Sequence, residues 1–66
     1  MKVFLNQNEL TIDESTTLQE LITNQGIKPE GVAVAINNRI ITRSEWPSTM
    51  MDEGAKVVVI QATYGG

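Results

Sequence analysis

Gly65 and Gly66 are the residues of this chain with the plainest chemical use. Neither carries a Cβ, so a partner can close around the main chain beside the last carbonyl. A strand-like apolar run over 56–60 reaches almost to that end and is followed by the short segment 61–64. A folded body ending this way is expected to present an unbranched carboxylate on a flexible tail, 63–66, that a narrow active site can thread. The remaining inventory for chemistry is thin. The chain has no cysteine and no histidine, which excludes a thiol nucleophile, a disulfide, the usual zinc ligand sets and any His-based triad. Its acidic side chains are spread along the sequence, and none pairs with another for acid–base work. Intrinsic catalysis is therefore not expected.

The elements that must hold such a tail are compact. Sixty-six residues make one domain, 1–66, near the lower edge of what folds alone. A hydrophobic fraction of 41% suffices for one core, and 20% charged residues is too few for a disordered chain. The net charge of −3 disfavours nucleic acid, whose binding rests on neutralising phosphates, and an anionic membrane surface likewise. No apolar stretch approaches membrane-spanning length and the start lacks a signal-peptide core, so a soluble, cytoplasmic protein is expected.

Two opening runs, 2–6 and 9–13, read as a β-hairpin. In the second, Leu10 and Ile12 alternate with polar neighbours, the pattern of a strand with one wet side. Gln7-Asn8, with Asn6 beside them, reads as the tight turn. A helix follows within 15–26. Thr17 and Glu20 form a capping box, Leu18, Leu21 and Ile22 make one apolar stripe, and Gly26 with Ile27 supplies the C-terminal cap. Residues 32–36 and 39–41 read as two strands joined at Asn37-Asn38. A helical or 3₁₀ turn over 42–45 is then stopped by Pro47, with Trp46 plugging one end of the core. Residues 50–51 read as a short extended segment and 52–55 as a turn with Gly54 at its unusual backbone position. The run 56–60 is apolar on both faces and reads as a central strand, since an edge would expose one of them. The expected fold is α+β: a mixed four- to five-stranded sheet packed on one α-helix. With the last strand inserted parallel to the first, that is a β-grasp, or ubiquitin-like, roll.

Several stretches resemble the sulfur carrier proteins of thiamin biosynthesis, the ThiS family, over nearly the whole chain. They are Asn6 in the hairpin, 17–22, Ala35-Ile-Asn37 within 34–37, Arg43-Ser-Glu-Trp46, Asp52-Glu-Gly54 and Gly65-Gly66. Thr42 departs from the proline expected before the arginine, and Glu53-Gly-Ala55 from the usual Asp-Gly-Asp. The resemblance implies a carrier that binds no cofactor, with Gly66 as the point of covalent attachment. An E1-like adenylating enzyme would use ATP and magnesium to activate the carboxylate. A sulfur donor such as a persulfide-carrying protein would convert it to a thiocarboxylate, and thiazole synthase would consume the sulfur. A molybdopterin synthase small subunit, a lysine-conjugated modifier and a non-reacting β-grasp interaction module are the alternatives.

Tyr64, Arg43 and Asn37 each have two readings. Gly65 and Tyr64 are placed for tail recognition, although Tyr64 could equally finish the last strand by packing on the sheet edge. Arg43 reads first as a solvated or locally paired charge beside Glu45, and second as a partner contact. Asn37 reads first as a turn residue and second as a binding group.

Overall fold

The computed structural model describes residues 1–61. Strands β1 (Lys2–Leu5) and β2 (Asn8–Thr11) form the opening hairpin, with Leu5 opposite Asn8 and Val3 opposite Leu10. The turn residues are Asn6 and Gln7, at φ 49° and 74°, the consecutive positive values of a type I′ turn. The turn thus lies one residue earlier than Gln7-Asn8. Moving it by one residue shifts each partner by two, so either register keeps Val3, Leu5 and Leu10 on the core face. The hydrophobic pattern cannot choose between them.

Helix α1 (Leu18–Asn24) begins at its capping box. The Glu20 amide donates to Thr17 Oγ1 at 3.1 Å, and the Thr17 amide donates to Glu20 Oε1 at 2.9 Å. Leu18, Leu21 and Ile22 are fully buried. Gly26, at φ 72°, donates to Thr23 O, and Ile27 donates to Ile22 O. Those two bonds are the Schellman closure that the Gly-Ile pair predicts.

Strands β3 (Val32–Ile36) and β4 (Arg39–Ile41) pair through a second type I′ turn at Asn37 and Asn38, φ 50° and 69°. A 3₁₀ helix follows over Arg43–Ser48, and Pro47 lies inside it. Proline is tolerated inside this short 3₁₀ helix, whose two ends are closed by the Glu45 amide donating to Thr42 O and the Thr49 amide to Trp46 O, neither of which needs an N–H at 47. Trp46 is 1% exposed, and its indole N–H donates to Ile41 O at 3.0 Å. Truncating so large a buried side chain typically costs about 3–5 kcal/mol. That is comparable with the whole stability of a domain this small, about 3–10 kcal/mol. Met50 bridges to Thr17, and Gly54 turns at φ 80°.

Strand β5 (Lys56–Gln61) enters the middle of the sheet, parallel to β1 and antiparallel to β3, giving the order β2-β1-β5-β3-β4. One helix across a mixed five-stranded sheet of this order is the β-grasp roll. Centrality does not bury both faces of β5, however. Val57 is buried and Val59 half-buried toward the core, while Val58 and Ile60 stay 40% and 51% exposed. The single long helix covers one side of the sheet only, so the other side keeps its apolar residues in water.

Candidate functional site

Tyr64, Gly65 and Gly66 lie outside the described residues, as does the rest of 62–66. The structure defines the platform that leads to them. Strand β5 runs one residue beyond the predicted 56–60, so Gln61 belongs to the sheet. Both neighbouring strands hold β5. On the β1 side the Lys2 amide donates to the Glu53 carboxylate at 3.1 and 3.2 Å, and the Gly54 amide to Lys2 O at 2.7 Å. The Phe4 amide donates to Ala55 O at 2.8 Å and the Asn6 amide to Val57 O at 2.9 Å. The seam ends where the Val59 amide donates to Asn6 Oδ1 at 2.9 Å. On the β3 side the Asn37 amide donates to Lys56 O and the Lys56 amide to Asn37 Oδ1, at 2.8 and 2.9 Å.

Each hairpin therefore uses the first residue of its turn to grip β5 through a side-chain carboxamide. Asparagine does both jobs because it tolerates positive φ and carries a carbonyl that imitates the main chain. Asn37 is a turn residue, as read, and also one of these grips. Nothing in the local sequence signals the second role, because the bonded amides lie 19 and 53 positions away.

The outer face of the sheet carries Phe4 on β1, Val58 and Ile60 on β5, and Ile40 on β4, which is 62% exposed. Ala35 stands opposite both Val58 and Ile40. A shallow recess of about 360 Å³ opens on this face, lined by Phe4, Gln7, Asn37, Asn38 and 56–58. Sequence reasoning missed this surface by treating the continuous apolar run of 56–60 as burial on both sides. The available signal was the count of elements, since one helix cannot cover two faces of a sheet.

Arg43 is exposed, and its guanidinium lies 3.4 Å from the carboxylate of Glu30, itself exposed. The pairing is with Glu30 and not with Glu45, whose carboxylate accepts the Thr42 hydroxyl at 3.2 Å. An ion pair so open to water holds the fold by little. It does bring Arg43 toward the exit of β5, because Glu30 and Gln61 line one open recess together with Gly26, Ile27 and Val32. Among the described residues no group of carboxylates could hold a metal ion, and no helix is long and apolar enough to cross a membrane.

The family model described as the ThiS family matches residues 1–66. The chain belongs to the ThiS family. It is 26% identical to the sulfur carrier protein ThiS of Escherichia coli strain K12 over 66 residues, all of both chains. It is 30% identical to a thiazole synthase of Magnetococcus marinus, covering all of this chain and 20% of that protein. The crystal structure of the thiamine biosynthesis protein ThiS from Geobacter metallireducens superposes with a TM-score of 0.85 at 26% identity, covering both chains completely. Family membership and fold thus agree with the resemblance carried by Asn6, Arg43-Ser-Glu-Trp46 and the paired glycines.

Proposed function

We propose that this chain is a sulfur carrier of thiamin biosynthesis whose working group is the carboxylate of Gly66. The observation that carries the reading is the ThiS-family match through residue 66, which includes Gly65-Gly66. A free carboxylate resists substitution because attack would have to expel oxide. In the proposed sequence a carboxylate oxygen attacks the α-phosphorus of ATP inside an E1-like adenylating enzyme, pyrophosphate leaves, and the carbonyl becomes an acyl adenylate. Magnesium serves that enzyme's site. The outer sulfur of a persulfide donor then adds to the carbonyl and AMP departs. A thiol cleaves the resulting sulfur–sulfur bond and leaves the thiocarboxylate. The missing Cβ at Gly65 and Gly66 keeps nucleotide and persulfide within contact of the carbonyl. The body supplies recognition and a fixed take-off for the tail, and the partner supplies proximity.

Thiazole synthase is the proposed recipient of the sulfur. The Magnetococcus protein of that name, which contains a stretch resembling this whole chain, supports a working pair. Tyr64 and Gly65 serve tail recognition in this reading, and Arg43 is available to a partner carboxylate. The outer sheet face, continuous with β5, offers apolar area for docking.

The test is intact-mass analysis after incubation with the adenylating enzyme of the same organism, ATP, magnesium and a sulfur source. The expected product has one oxygen replaced by sulfur at Gly66. Deleting Gly66 abolishes it while the circular dichroism spectrum stays unchanged. A bulky conjugate marks a protein modifier, and an unaltered mass a binding module. Either result ends the carrier reading.

A further inference from the structure

The β1–β5 seam stops one rung short of the end of β5. Odd-numbered residues of β5 turn their main-chain groups toward β1, since Val57 O accepts from Asn6 and the Val59 amide donates to Asn6 Oδ1. Lys56, by contrast, exchanges its bonds with Asn37 on the β3 side. Alternation along the strand then directs Val59 O and the Gln61 amide to the β1 side. There β1 has ended: its pairing with β5 covers Phe4 and Leu5 alone, and the chain turns back at Asn6 and Gln7. Among the described residues neither Val59 O nor the Gln61 amide has a hydrogen-bond partner.

We infer that this open rung, Val59 O and the Gln61 amide, pairs with an extended main-chain segment of the adenylating enzyme, placed in line with β1. The inference rests on the carrier reading above. Five residues follow Gln61, and fully extended they reach about 17 Å. An active site closed around the Gly66 carbonyl therefore has its mouth within that distance of Gln61, which brings the enzyme's surface within reach of this edge. The occupant's chemistry follows from the register. Phe4 stands opposite Lys56 and donates to Ala55 O. A residue standing opposite Ile60 in the same manner donates its amide to Val59 O and accepts from the Gln61 amide. Its side chain shares the outer face with Ile60, which is half exposed, so an apolar residue fits there. Backbone pairing supplies affinity and the side-chain position supplies selectivity, the division seen wherever a strand is added to a sheet.

Gln61→Pro removes the donor and leaves the β3 seam intact, because the Gln61 amide faces away from Val32. Gln61→Ala controls for the side chain. With the full-length protein and the adenylating enzyme that charges it, Gln61→Pro is expected to weaken binding by about tenfold. Gln61→Ala stays within about twofold, an effect no larger than a surface substitution. Amide exchange of the wild-type protein gives the second readout: the Gln61 amide exchanges fast when free and slowly in the complex. Equal binding of the two variants, or a Gln61 amide left unprotected in a complex that still yields thiocarboxylate, overturns the edge pairing and spares the carrier function. If Gln61→Pro loses the native circular dichroism spectrum, the exchange measurement alone decides. A wild-type protein that the enzyme does not charge overturns both.

Discussion

Replacing Asn6 separates the two roles that the structure gives it. Asn6→Gly keeps the left-handed turn, at φ 49°, and removes the Oδ1 that accepts the Val59 amide. Asn6→Ala removes the same oxygen and also puts an ordinary Cβ into a left-handed conformation. One net hydrogen bond is worth about 1 kcal/mol, and the left-handed strain about 1–2 kcal/mol. Glycine should therefore cost about 1 kcal/mol and alanine about 2–3 kcal/mol. For a chain of 66 residues the unfolding entropy is about 140 cal/mol/K, so each kcal/mol shifts Tm by about 7 °C. Thermal unfolding followed by circular dichroism should then show drops of about 7 °C for glycine and about 14–20 °C for alanine. Exchange of the Val59 amide should accelerate in both variants, while that of Val58, bonded on the β3 side, follows global stability alone. A Val59 amide equally protected in Asn6→Gly and wild type would refute the grip. Equal Tm for glycine and alanine would refute the strain argument.

Gln7 occupies the second turn position at φ 74°, which glycine adopts without strain, so Gln7→Gly is expected to raise Tm by several degrees; a lower Tm would contradict the turn assignment. Gly26→Ala meets nothing within 4 Å of the added Cβ, yet φ is 72°. It should cost about 1 kcal/mol by backbone strain alone, measured by urea unfolding with an unchanged m-value. Thr42 already sits at φ −67°, and no hydrogen bond among the described residues uses its amide. Thr42→Pro gains about 0.4–1 kcal/mol from the stiffer unfolded chain and loses the exposed hydroxyl bond to Glu45, so in the same assay it should not destabilise and should gain less than about 1 kcal/mol. Arg43→Ala should leave Tm within a few degrees, because both partners of its ion pair are exposed. A large loss would give that pair a structural role.

The elements were legible where local chemistry is sufficient. Thr17 and Glu20 start α1, Gly26 and Ile27 end it, and Asn37-Asn38 separates β3 from β4, because caps and positive-φ turns involve residues within a few positions of each other. The central place of β5 could also be read, although the burial of both faces that argued for it does not hold, since Val58 and Ile60 stay exposed. The hairpin register could not be read, since both candidate turns put the same apolar residues inward; the contact that Asn6 makes with Val59 in this register lies 53 positions away. Pro47 misled because a short 3₁₀ turn does not need the amide that a longer helix would miss.

The candidate site divides along the same line. Sequence alone determined the chemical inventory: no cysteine or histidine to react, and at 65 and 66 two glycines without a Cβ. Their identity is a property of single residues and needs no fold to be read. Tertiary structure decided how β5 is held, with both seams gripping it, an apolar face left uncovered and one rung of main chain open beside Gln61. Those features depend on which strand ends beside which, and such long-range pairing is settled by packing the whole sheet against one helix.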